Sequence, residues 1–185
     1  MRSMRLFMVI CFVSIAPMTV FGQWTAVSAQ KITTRRVISP TGTVLQDTTT
    51  TGNYYRSSSG SVATTTLQTS PDGEVQYKAG RLLDNVGLAV YTIDYQNKIA
   101  YRNTQLSHPR EFQDDPATYS QDHQHSVIDG LKCVVLPIME NGKQVGSVWK
   151  SAKYDLVLKM DFSIDNSGEI THVTTQLSGI HLRSL

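Results

Sequence analysis

The stretch from Leu156 to Ile164 constrains the fold more than any other part of the chain. Leu156, Leu158, Met160, Phe162 and Ile164 alternate with Lys159, Asp161 and Ser163, and only Val157 breaks the pattern. A period of two with one dry side and one wet side is what an antiparallel strand requires when one face of its sheet meets solvent. Apolar residues at helical spacing are nearly absent from the rest of the chain. In their place stand threonine runs, Thr48-Thr49-Thr50-Thr51 and Thr64-Thr65-Thr66, and short segments of Val, Ile and Tyr. β-Branched and aromatic side chains suit a pleated surface.

Turn chemistry divides this extended material into hairpins. Asn166-Ser167-Gly168 leads from the Leu156 strand to a return strand over Glu169 to Leu177. Asn141-Gly142 joins Leu131 to Met139 with Gln144 to Lys150, both central residues of a type I′ turn needing positive φ. Pro137 cannot donate to a ladder, which predicts an edge or bulge there. The C-terminal third therefore reads as a four-strand meander. Upstream, Ser39-Pro40-Thr41-Gly42 separates Lys31 to Ile38 from Val44 to Thr51. Tyr54-Tyr55-Arg56 leads through a Ser57 to Gly60 turn to a strand over Val62 to Thr69. Ala89 to Tyr95 and Lys98 to Asn103 pair around Gln96-Asn97. A polar insertion, about residues 104–125, interrupts the pattern, and no fixed-period repeat is present.

The N-terminus predicts export. Arg2 and Arg5 precede the apolar run Leu6 to Val13, and the segment closes on Val27-Ser28-Ala29. That order of charge, apolar core and small residues is a secretory signal, with cleavage near Ala29. The run is broken by Ser14 and Pro17, well short of the roughly 20 residues of a spanning helix. Residues 1–29 are thus expected to be a signal peptide and 30–185 a single β-rich domain, periplasmic or secreted, with no stable membrane span after cleavage. Loss of Arg2 and Arg5 leaves fifteen basic residues against fifteen acidic, so no basic surface for nucleic acid is expected. Cys133 is then the only cysteine, which excludes an internal disulfide, and its apolar setting marks it as a small core residue.

Several segments in this order resemble an acidobacterial-type family of exported proteins. Tyr54 to Gly60 is similar to its "YRDSxGR" element, with Ser58 and Ser61 standing where the family has an acidic residue and an arginine. Ala89 to Lys98 resembles its "YxLDPxxK" hairpin, and Ile128 to Cys133 matches in part its "IxGxxxxG" strand entry. Val148-Trp149-Lys150-Ser151 followed by Leu156-Val157-Leu158 resembles "xxWYSPxLxxxVL", with Lys153 in the proline region. The same order of segments is similar to the LolA-like and LppX-like lipoprotein carriers. That resemblance implies a mainly β fold with little helix: a single curved antiparallel sheet, an open half-barrel with a concave apolar side.

The chemistry expected of the chain is binding rather than catalysis. It lacks a Gly-x-Ser-x-Gly, a phosphate-binding glycine loop and a Cys-x-x-Cys. Asp122-His123-Gln124-His125 holds metal-ligand types, but no third ligand is suitably spaced, so neither a metal nor a cofactor is expected. Asp114-Asp115 before Pro116 reads as a turn or cap, and His172 and His181 stand alone. Tyr91, Ile93, Tyr95, Trp149, Leu156, Leu158, Met160 and Phe162 are the candidate lining of an apolar ligand surface. The expected function is an exported, non-enzymatic module holding a lipid or a lipidated partner. The alternative is a structural or protein-interaction domain of the cell envelope without a small ligand.

Overall fold

The computed structural model describes residues 24–69, 74–104 and 124–183, and every regular element among them is a strand. In chain order these are β1 (Ala26–Ile38), β2 (Val44–Arg56), β3 (Val62–Thr69), β4 (Val75–Asp84), β5 (Ala89–Asp94), β6 (Ile99–Thr104), β7 (His125–Ile128), β8 (Leu131–Glu140), β9 (Lys143–Ser151), β10 (Leu156–Asn166) and β11 (Glu169–Arg183). They form one sheet in the order β6-β5-β4-β3-β2-β1-β11-β10-β9-β8-β7, and every pair is antiparallel. The first and last strands meet at the centre, and each half runs outward from them as a meander. The outermost strands, β6 and β7, do not pair with each other, so the sheet is an open half-barrel.

The hairpins expected from turn residues are present. Asn141 and Gly142 have φ of 49° and 76°, and Ser167 and Gly168 of 57° and 96°, the left-handed pair a type I′ turn demands. A third such turn, Asp129-Gly130 with φ of 50° and 76°, joins β7 to β8. β4 has no counterpart among the expected strands, and the central strands are longer than expected: β1 begins at Ala26, not Lys31, β2 runs through Tyr54-Tyr55-Arg56, and β11 continues to Arg183. Most of the polar insertion, residues 105–123, lies outside the described residues.

Register assigns the two faces. Val27 lies opposite Arg56 and Leu182, Ala29 opposite Tyr54, Val62 opposite Arg56 and Leu83. Cross-strand partners share a face, so one side carries Val27, Ala29, Tyr54, Val62 and Leu83, all buried in one cluster with Cys133, Leu156, Leu158 and Leu177. With no second layer among the described residues, the sheet must cover this face by curling. Strands about 4.8 Å apart would put β2 about 14 Å from β10 in a flat sheet. Yet Arg56, on β2, donates to the carbonyls of Tyr154 (2.7 Å) and Asp155 (2.6 Å) in the β9–β10 turn. Asp129, in the β7–β8 turn, likewise accepts from the Ile180 amide of β11 at 2.6 Å. Both contacts fold the β7–β10 arm over the clustered side, which is therefore the inner face.

Candidate functional site

Burial on the inner face is uneven, and the unevenness locates the site. Along β10, Leu156 and Leu158 are 0% and 1% exposed, Met160 and Phe162 are half-buried, and Ile164 is 39% exposed. Exposure thus rises along β10 from Leu156 to Ile164, while Leu136, Val148, Thr171 and Val37 on the same face are buried. Two cross-strand rows define this floor, in which Leu136 and Val148 are buried and the other members are partly or fully exposed. Leu136, Val148, Met160, Thr175, Thr33 and Thr50 follow one another across β8, β9, β10, β11, β1 and β2. In the next row Ile138, Gly146, Phe162, Val173, Arg35 and Thr48 do the same. The floor is therefore apolar on its β8–β10 side and hydroxyl-lined on its β1–β2 side, where Thr33 and Thr175 share a 3.0 Å hydrogen bond.

The eight residues expected to line a ligand surface divide between the two faces. Met160 and Phe162 are on the inner face, and Leu156 and Leu158 lie in the buried cluster beyond a bulge between Val157 and Lys159. Trp149 is opposite Lys159, beside the bulge, with the Lys159 ammonium 4.6 Å from its ring centroid, and it packs against the buried cluster. Tyr91 and Ile93 pair with Leu82 and Gly80 on the outer face. The Tyr95 ring joins them there, close over Gly80 and 4.8 Å from the Lys78 ammonium. A hollow of about 380 Å³ lies elsewhere, over β1–β4, lined by Gln30, Ile32, Thr51, Asn53, Leu67 and Lys78 among others. None of the eight lines it.

Two buried cations carry no mark in the sequence. Arg56 and Lys150 are 5% and 6% exposed. The Arg56 guanidinium also donates to the Thr25 carbonyl through two nitrogens at 3.2 Å and lies 5.1 Å from the Trp24 ring centroid. Lys150 pairs with Asp155 at 2.5 Å. A desolvated charge persists only where it is paired and hydrogen-bonded; Arg56 satisfies that by reaching the β9–β10 turn from across the sheet, and Lys150 by its ion pair within that hairpin. Burial pushes the Cys133 thiol above its ordinary range, only partly opposed by its hydrogen bond to the Ser126 carbonyl. Of the Asp-His-Gln-His segment, Asp122 and His123 fall outside the described residues, as do Asp114 and Asp115, while His125 is exposed on β7. Among the described residues no group of three metal-ligating side chains converges.

No protein-family model matches the chain, and no curated protein matches it. Solved structures do. A DUF1329 family protein from Desulfovibrio piger shares 13% identity at a TM-score of 0.34, with 85% of each chain covered. A LolA superfamily protein from Nitrosomonas europaea shares 14% identity at 0.34, with 89% of each covered. The Pseudomonas aeruginosa MucA/MucB complex shares 15% identity at 0.38 over 85% of this chain and 52% of its own, so this chain spans about half that length. Overlaps this loose assign neither ligand nor partner; the half-barrel rests on the strand order and register above.

Proposed function

We propose that this chain is an exported binding module whose inner face holds the acyl chain of a lipid or of a lipidated partner. The observation that supports this is the open apolar floor of Met160, Phe162, Ile164, Ile138 and Val173, continuous with a buried core and bordered by threonine hydroxyls. A hydrocarbon laid on β8–β10 would gain about 25 cal/mol for each Å² removed from water. The hydroxyl row beside it suits a polar head group. The Arg2, Arg5 and Leu6 to Val13 pattern supports export. Native mass spectrometry of protein purified from a bacterial periplasm tests the reading, together with titration by a fluorescent fatty acid. The expected result is co-purified lipid or saturable uptake; uniformly ligand-free protein that takes up no probe would reject it.

A second reading draws on the outermost strand. All six residues of β6 are exposed, Tyr101 at 62%, and its outer edge has no strand partner among the described residues, which makes it a template for another strand. An interaction domain of the cell envelope would use that edge. It predicts self-association or a protein partner that Tyr101→Lys abolishes, while fatty-acid uptake stays absent throughout.

A further inference from the structure

The opening of β1 bears on where the exported chain is cut. Val27 and Ala29 are 3% and 8% exposed, and both belong to the central buried cluster. Ala26, Val27 and Ser28 pair with Arg183, Leu182 and His181 on one side, and Val27, Ser28 and Ala29 with Arg56, Tyr55 and Tyr54 on the other. The Trp24 amide donates to the Ser58 carbonyl at 3.1 Å. The Trp24 ring packs against Gly60, where an added Cβ would meet it at 2.7 Å, and against the Arg56 guanidinium. Two of the hydrogen bonds of that buried guanidinium end on the Thr25 carbonyl.

A cut after Ala29 would remove all of this. It would strip ladder partners from both β2 and β11 at the centre of the sheet, take two residues out of the core and leave Arg56 short of an acceptor. Buried backbone groups without partners are among the costliest defects a fold can carry. A second site of the right chemistry stands just upstream. Val20-Phe21-Gly22 ends in a small residue, follows Pro17 and the apolar run, and precedes Gln23-Trp24, which is the small-residue pattern a signal peptidase reads.

We propose that the chain is processed between Gly22 and Gln23, so that the mature protein keeps Trp24 to Ala29 as the start of its central strand. The step is a hydrolysis catalysed by the signal peptidase of the export machinery. Water adds its hydroxyl to the Gly22 carbonyl carbon, the C–N bond breaks, and the Gln23 nitrogen leaves as an amine with the proton. The proposal is independent of what the inner face binds.

The test expresses the full chain with its own N-terminus in a Gram-negative host and reads the exported protein by intact mass and N-terminal peptide mapping. The expected N-terminus is Gln23, free or cyclised to pyroglutamate. An N-terminus at Gln30, or an exported chain that retains residues 1–22, would overturn the proposal. Pulse-labelling of two variants follows processing before folded stability matters. Gly22→Arg should lose conversion of precursor to product, and Ala29→Arg should convert like the parent. Normal conversion of the first, or a block in the second, would also overturn it.

Discussion

Arg56 shows how much one side chain can decide in a single-layer sheet. It joins β2 to a turn three strands away and to the carbonyl that precedes β1, so it holds the curl as well as its own strand. Arg56→Met keeps the apolar stem and removes the donors, leaving buried carbonyls unsatisfied. It should destabilise the fold by about 3 kcal/mol, read as a lower urea midpoint, because each such bond to a charged group is worth about 1.5–3 kcal/mol. Cys133 gives a pH signature of opposite origin. Burial raises its folded pKa above the unfolded value, so its contribution is complete below the unfolded pKa and is lost as pH rises from there through the folded value. Stability should therefore fall above about pH 8.5–9, and Cys133→Ala should flatten that decline. Native protein should react with a thiol reagent only at its unfolding rate. The burial of Cys133 was legible in its apolar setting, whereas the role of Arg56 was not. Tyr54-Tyr55-Arg56 is an ordinary approach to a turn until register brings it beneath residues 154 and 155.

At the scale of elements, the alternation in β10 was legible because one face is dry and the other wet. β4 was not, because Val-Gln-Tyr-Lys-Ala-Gly-Arg-Leu-Leu-Asp mixes polar and apolar residues on both faces and ends in adjacent leucines, of which only Leu83 is buried. The site was half legible for a related reason. A period of two fixes which residues of one strand share a face, but only register relates one strand's face to its neighbour's. Tyr91 is the conspicuous aromatic of β5, whereas the inner-face residue beside it is Val90, opposite Leu83. The close approach of β9 to β10 offers a test of that register. A Cβ on Gly146 would run into the Asp161 carbonyl and the Phe162 Cβ. Gly146→Ala should cost about 1–3 kcal/mol by overpacking and shift Phe162 on the floor. Gly142→Ala meets nothing within 4 Å but sits at φ 76°, and should cost about 1–2 kcal/mol through backbone strain alone. Urea unfolding compares the two, and only the first should also weaken fatty-acid uptake.

The whole molecule is a sheet with two unlike sides. One end of the inner face closes on itself through Arg56, Asp129 and the leucines of β10 and β11, and the other end leaves Met160, Phe162 and Ile164 uncovered by any described residue layer. The outer face carries aromatics too, among them Tyr95 under Lys78 and Tyr91 beside Arg102. Length, hairpin chemistry and alternation made the open sheet readable in advance, while which side would hold a ligand awaited the register. The most direct measurement is fluorescent fatty-acid affinity for Phe162→Asp and Ile93→Asp side by side, in proteins whose unfolding midpoints bracket the parent's. A charge on the inner floor should weaken binding about ten- to a hundredfold, the loss of one buried aromatic contact, and the same charge on the outer face should leave it unchanged. Equal effects from the two substitutions, or a loss only with Ile93→Asp, would contradict the assignment of the inner face as the binding surface.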